Sequence, residues 1–318
     1  MILVDNLGAF PARSRQCVLC IGNFDGVHRG HARMLGEGRR IAAAEGRPFV
    51  IMTFDPHPLS ILQPALSRPP LMSVEQRIKR LAEFSPDVLL LIGTSREFLA
   101  MTAEEFLRNI VCETLAARQL VEGVNFTFGR GARGTVQTLL EFGEALGFKT
   151  LVVPTAQTTL CDLALADVSS TLARWLVSHG RVADARRVLG RPYTLCGRVK
   201  HAGGRGKILG FPTVNLELRQ IIPAHGVYSG RAIFDTQSFP AAISVGTNPT
   251  FGGCEASVEA FVLDFSGDLY ERTIELELHR WIREQQAYSG PEPLRRRIAA
   301  DVRLVRELAA THKGYGDL

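Results

Sequence analysis

The feature that most constrains the fold is a change of rhythm near residue 190. Upstream of it, short apolar runs alternate with stretches of helix length and composition. Residues 18–21, 49–54, 88–92, 120–121 and 151–153 read as buried strands, and residues 31–44, 73–84, 102–117 and 135–146 as the helices between them. Strands joined through helices connect in one hand, so the series predicts a doubly wound parallel sheet. Such sheets take ligands beyond the carboxyl ends of their strands, which directs the search for chemistry to the loops after strands. A last helical segment, 183–189, is expected to close this half.

Downstream the helices vanish. Residues 193–199, 226–233, 241–246, 257–264 and 273–278 are short strand-like runs separated by Gly and Pro turns, the pattern of a small antiparallel barrel. A terminal helix over 293–310 follows, with Leu294, Ile298, Val302 and Val305 at helical spacing. A chain of 318 residues can support two cores, and the expected domains are 1–190 and 191–318, parted at Gly190-Arg191-Pro192.

Composition narrows the functional classes. No apolar run reaches bilayer length, and Met1-Ile2-Leu3-Val4-Asp5 lacks a basic region followed by an apolar core, so a cytoplasmic protein with no membrane partner is expected. The net charge of +5 is spread evenly: residues 1–190 carry 21 Lys+Arg against 18 Asp+Glu, and residues 191–318 carry 16 against 14. Neither half holds a basic block, and no aromatic-plus-basic platform for RNA occurs, so no nucleic-acid partner is expected. The six cysteines are scattered; Cys17 and Cys20 form a CxxC inside an apolar run, without a second pair to complete a zinc set, and read as reduced thiols. A homo-oligomer is left open.

Between the first strand and first helix runs Gly22-Asn23-Phe24-Asp25-Gly26-Val27-His28-Arg29-Gly30-His31. Two imidazoles at a helix N-terminus, where free N–H groups and the positive pole point outward, can donate to phosphate oxygens and stabilise charge growing on an α-phosphate. Thr53-Phe54-Asp55-Pro56-His57-Pro58 ends the next strand, Gly123-Val124-Asn125-Phe126-Thr127-Phe128-Gly129 follows a later one, and Ser169-Ser170-Thr171-Leu172-Ala173-Arg174 opens another helical stretch. In the second half stand Gly210-Phe211-Pro212-Thr213-Val214-Asn215-Leu216, Gly246-Thr247-Asn248-Pro249-Thr250-Phe251 and Val258-Glu259-Ala260-Phe261. Upstream of these lies the basic, glycine-rich loop His201-Ala202-Gly203-Gly204-Arg205-Gly206-Lys207, and nowhere does GxxxxGK[ST] occur. On local pattern alone Glu259 is as well read as an outward-facing strand glutamate.

Taken together, these segments resemble the prokaryotic bifunctional riboflavin kinase/FAD synthetases over residues 16–310. The first is similar to that family's HxGH nucleotidyltransferase signature, and the serine-threonine segment resembles its SSTxIR motif, with Ala173 where Ile is usual. The later segments are similar to the GFPTAN and NPTF stretches of riboflavin kinases. In that family Gly and Asp are usual at Ala202 and Gly203, and Gly at Glu271. The resemblance implies a Rossmann-like nucleotidyltransferase domain followed by a small β-barrel kinase domain with a C-terminal helix. It implies ATP-dependent phosphorylation of riboflavin to FMN, then adenylyl transfer from ATP to FMN, giving FAD and pyrophosphate.

Residue roles follow from the same resemblance. His28 and His31, with Gly22, Asn23, Phe24, Asp25 and Gly30, would hold ATP for adenylyl transfer, and Ser170, Thr171 and Arg174 would clamp its phosphates. Pro56, His57, Pro58, Asn125 and Phe128 would face the flavin. In the kinase, Gly204, Arg205, Gly206, Lys207, Gly210 and Pro212 would cover ATP. Thr213 and Asn215, both hard oxygen donors, would hold Mg²⁺, and Glu259 would take the proton from the ribityl 5′-hydroxyl. Two other readings remain at this level. One is a riboflavin kinase whose first domain only binds nucleotide, since Asp167 and Ala173 depart from a phosphate site; the other is a non-catalytic nucleotide- or RNA-binding protein.

Overall fold

The computed structural model describes residues 1–201, 205–247 and 257–311. Its contacts form two compact units, one of Met1–Arg68, Val74–Thr158 and Leu165–Ser169, the other of Pro69–Ser73, Thr159–Ala164 and Ser170–Leu318.

In the first unit, β1 (Ile2–Val4), β2 (Val18–Ile21), β3 (Phe49–Asp55), β4 (Val88–Gly93), β5 (Gln119–Gly123) and β8 (Lys149–Val153) form a parallel sheet in the order β1-β4-β3-β2-β5-β8. The ribbon of β6 (Thr127–Phe128) and β7 (Gly134–Thr135) lies between β5 and β8 in sequence, and β9 (Gln157–Thr159) pairs with β10 (Leu165–Asp167). The helices are α1 (Arg29–Glu45), α2 (Pro58–Leu62), α3 (Val74–Ala82), α4 (Arg96–Ala100), α5 (Ala103–Glu105) and α6 (Val136–Leu146). The core strands are apolar on both faces, as a sheet covered on both sides requires. β1 is a three-residue edge strand, too short to show a period. The expected helix over 102–117 is a correction: a Thr102–Glu105 capping box starts α5, and Phe106–Thr114 then winds as a π-helix. Its buried residues, Phe106, Leu107, Ile110 and Val111, have the spacing of an ordinary α-helical stripe, so the local pattern does not record the wider winding.

The sheet order places the site. β3 and β4 build outward on one side of β2, whereas β5 and β8 lie on the other. The chain therefore reverses direction at β2, and β2 and β5 pair only at Val18↔Gln119 and Leu19↔Leu120 before diverging. That reversal is a topological switch point, and ligands of such sheets bind outside the carboxyl ends of the strands on either side of it.

The second unit is a closed barrel of β11 (Tyr193–Lys200), β12 (Val214–Glu217), β13 (Gly226–Phe234), β14 (Gln237–Gly246), β15 (Ser257–Val262) and β16 (Thr273–Arg283), ordered β11-β12-β15-β14-β13-β16. Inward residues alternate with outward ones: Tyr193, Leu195 and Val199 on β11, Val258, Ala260 and Val262 on β15, and Ile274, Leu276 and Leu278 on β16 are buried. β12 was not among the expected strands; it follows Pro212-Thr213 directly and is only four residues long, although Val214-Asn215-Leu216-Glu217 alternates apolar and polar residues. Helices α7 (Ser170–Ser178) and α8 (Val182–Leu189), the short α9 (Arg205–Ile208) and the long α10 (Pro291–Thr311) complete this unit. α8 packs on β11 and β16 through buried residues that include Val182, Ala185, Val188 and Leu189. Contacts thus group the segment 170–190 with the barrel, ahead of the expected division at 190/191. No helix among the described residues is long and apolar enough to cross a membrane.

Candidate active sites

In the first unit β2 ends at Ile21, and the chain turns through Phe24, Gly26 and Val27, all at positive φ, before α1 begins. Phe24 is wholly buried, which anchors the turn. His28 is the N-cap of α1: its Nδ1 accepts from the His31 backbone N–H at 3.2 Å. A neutral His28 therefore carries its proton on Nε2 and presents a donor there. The two imidazoles stack with centroids 3.6 Å apart and planes 16° from parallel, and Phe24 meets His31 edge-on at 5.2 Å. A Cβ at Gly30 would stand 3.2 Å from the His28 ring, so glycine between the histidines leaves that ring its room. His31 Nδ1 and Asn23 Oδ1 are buried without a hydrogen-bond partner among the described residues. Burial, and then the neighbouring His28, hold the His31 pKa well below the ordinary histidine value.

The loops on either side are equally defined. After β3, His57 caps α2, its Nδ1 accepting from Leu59 N–H at 3.1 Å, with Pro56 exposed and Pro58 half-buried. After β5, Asn125 is exposed, whereas Phe128 is only 8% exposed and packs against Phe106 and Phe126. The structure thus places Phe128 in the core, with the half-buried Phe126 stacked on it. Ser170, Thr171 and Arg174 occupy the first turns of α7, a helix of the second unit, with Thr171 exposed. Asp167 is exposed and accepts from Gln157 at 2.9 Å, while Ala173 is fully buried.

In the second unit the candidate residues lie on the outer face of the barrel. Register sets Lys200 opposite Asn215, Asn215 opposite Glu259, and Glu259 opposite Ser244, a polar row across four strands. Thr213 Oγ1 donates to Glu259 Oε2 at 3.2 Å and Ser257 Oγ to Glu259 Oε1 at 3.3 Å, so both carboxylate oxygens are held. Gly206 backs onto this row: a Cβ there would collide with the Phe211 carbonyl and stand 3.0 Å from Thr213 Oγ1. Lys207 and Gly210 close the same short turn, Gly210 at φ +84°. Pro212 leads into β12. Gly204 and the Asn248-Pro249-Thr250-Phe251 stretch lie outside the described residues. Among the described residues no group of three or more His, Cys, Asp or Glu could hold a metal ion, but the oxygens of Thr213 and Asn215 fit a hard cation completed by ligand phosphates. Glu271 turns at φ +64°, a conformation glycine adopts without strain.

Residues 10–171 match the FAD synthetase family and residues 189–309 the riboflavin kinase family. The bifunctional riboflavin kinase/FMN adenylyltransferase of Pseudomonas fluorescens is 35% identical over 312 residues, covering 98% of both chains; that of Escherichia coli K12 is 33% identical over 306 residues, covering 96% of both. This chain belongs to the bifunctional riboflavin kinase/FMN adenylyltransferase family. A solved Streptococcus pneumoniae structure described as a macrolide-efflux protein is 29% identical and superposes with a TM-score of 0.83 over 96% of this chain and 98% of that one.

For a riboflavin kinase/FMN adenylyltransferase, several residues at these sites carry no local signal. Ser244 and Lys200 reach the polar row only through strand register, whereas Ser257 lies two residues before Glu259 on the same strand. Glu122 is 1% exposed and accepts from Ile21 N–H at 2.7 Å just where the β2–β5 ladder ends; burial pushes its pKa well above the carboxylate range. The CxxC cysteines are both wholly buried, and burial raises the Cys17 thiol to about 12 and Cys20 well above its ordinary value, which makes them inert packing groups.

Proposed function

We propose that the family's two reactions are divided between two stretches of the chain, adenylyl transfer on the loops beyond the parallel sheet and phosphorylation on the outer face of the barrel. The enzyme phosphorylates riboflavin to FMN and adenylylates FMN to FAD. We assign residues 1–190 to the second reaction and 191–318 to the first, a division supported by the limits of the two family matches.

The observation that carries the kinase assignment is the Thr213–Glu259 contact on that polar row. Glu259 takes the proton of the ribityl 5′-hydroxyl while its oxygen attacks the γ-phosphorus and ADP departs. Thr213 and Asn215 would hold Mg²⁺, which when bound neutralises charge on the β- and γ-phosphates. Gly204, Arg205, Gly206, Lys207, Gly210 and Pro212 form the nucleotide's cover.

Adenylyl transfer needs no such base. The FMN phosphate is already an anion near neutral pH, and one of its oxygens attacks the α-phosphorus of ATP as pyrophosphate leaves. His28 Nε2–H donates to the phosphate oxygens as charge grows, and His31 offers its unpartnered nitrogen beside it. Gly22, Asn23, Phe24, Asp25 and Gly30 shape the loop; Ser170, Thr171 and Arg174 are assigned to the same phosphates. Pro56, His57, Pro58 and Asn125 flank the flavin, and Phe128 serves by backing Phe126. The buried thiols suit a cytoplasmic enzyme.

The test is chromatographic. Riboflavin, ATP and Mg²⁺ are expected to yield FMN and then FAD. FMN accumulating with no FAD, even when FMN and fresh ATP are supplied, would mean that the first unit only binds nucleotide.

A further inference from the structure

Arg77, on α3 of the first unit, belongs to none of the motifs above, yet it is 6% exposed beneath them. Its Nη1 donates to the Asn23 carbonyl at 3.0 Å, and its Nη2 meets Asp55 Oδ1 at 3.4 Å. Asn23 lies in the turn before the paired histidines; Asp55 is the last residue of β3, immediately before Pro56-His57-Pro58. Thr53 Oγ1 donates to the same Asn23 carbonyl at 3.2 Å, so that oxygen is pinned from two elements. Burying a guanidinium is costly unless its donors are met; Nη1 and Nη2 have these partners, whereas Nε has none among the described residues. Here burial lowers the Arg77 pKa, while Asp55 and Asp25 oppose that shift and favour the charged form.

We propose that Arg77 is a positioning residue for adenylyl transfer, whose forked side chain fixes the phosphate loop and the flavin loop in one geometry. This rests on the reading that the loop after β2 holds ATP phosphates and the loop after β3 faces the flavin. The physical reason is geometric. The reaction joins two substrates held by different loops, and a displacement of about 1 Å between reacting atoms costs on the order of a hundredfold in rate. A planar fork with divergent N–H groups can satisfy a carbonyl and a carboxylate at once, whereas an ammonium is a compact point donor on a flexible stem.

The test uses the full-length enzyme and the variants Arg77→Lys and Arg77→Met, with FMN adenylylation and riboflavin phosphorylation measured on the same preparations. Arg77→Lys is expected to lower kcat for FAD formation about tenfold or more, with the ATP KM changed less than threefold and FMN formation retained. Arg77→Met is expected to lower it at least as far; should it not fold, Arg77→Lys decides. An Arg77→Lys enzyme with more than half the normal kcat, or one that loses both activities together, overturns the inference. His28→Ala separates the two levels. If it leaves FAD formation intact, the reading of the phosphate loop fails; if it abolishes FAD formation while Arg77→Lys is fully active, only the role of Arg77 fails.

Discussion

On the proposed assignment, the two units handle the same nucleotide with opposite chemistry. In the first, the assigned groups are two stacked imidazoles at the start of a helix, on a loop beyond parallel strands. In the second, the central group is a carboxylate on a strand, its two oxygens held by Thr213 and Ser257. The nucleophiles explain the difference. A phosphate oxygen brings no proton to the adenylyl transfer, so that site has only to neutralise charge; a ribityl hydroxyl must lose one, so the kinase needs a base. The folds suit these tasks. A switch-point crevice gathers loops and helix termini, whereas a barrel face fixes side chains in rows through register.

The largest expected effect tests the base. Glu259→Gln keeps size and most hydrogen bonding but cannot accept the proton, and single-turnover FMN formation is expected to fall roughly a hundredfold or more. FAD formation from supplied FMN should persist. A folded variant with near-normal FMN formation would reduce Glu259 to a surface strand residue and remove the contrast between the units.

His28→Ala or His31→Ala should show the mirror pattern, with FAD formation down about a hundredfold, on the order of 3 kcal/mol, and FMN formation spared. Equal loss of both activities in a folded protein would mean that the sites are not independent.

A smaller effect sharpens where one unit ends. A fragment of residues 170–318 keeps α7 and α8 with the barrel, whereas 191–318 strips off the buried Val182, Ala185, Val188 and Leu189. Both are expected to make FMN, the longer with the higher melting midpoint. Equal midpoints would show that α8 adds nothing to the barrel's stability.

The smallest effects are acid–base. His31 is held well below the ordinary value of about 6.5, so the unfolded chain takes up that proton first. Its contribution to stability is complete above about pH 6.5 and is lost as pH falls towards the native value, by at most about 1.4 kcal/mol per pH unit. The midpoint of the first unit should therefore fall from pH 7 to 5.5, and less steeply in His31→Phe. Glu122 runs the other way. Its native pKa is raised, so its cost grows as pH climbs through and above the carboxylate range. Glu122→Gln, which can still accept from Ile21 N–H, should raise the midpoint at pH 8 by roughly 2–4 °C. No change there would mean that the buried carboxylate is not a burden on the fold.

The amino-acid order by itself determined the two architectures, because strand and helix periods are local and differ on either side of residue 190. It also pointed to the two candidate phosphate sites, because His28-Arg29-Gly30-His31 and Gly210-Phe211-Pro212-Thr213 carry the proposed chemistry within a few residues. Tertiary structure decided what depends on distant segments meeting. Strand order made the loop after β2 the switch point. Register brought Lys200, Asn215, Glu259 and Ser244 into one row from four strands. Packing drew Phe128 into the core, grouped α7 and α8 with the barrel, and buried Arg77 and Glu122 beneath the site. A residue's partner across a sheet lies tens of residues away along the chain, and no local pattern records it; only the folded backbone brings the two within hydrogen-bonding reach.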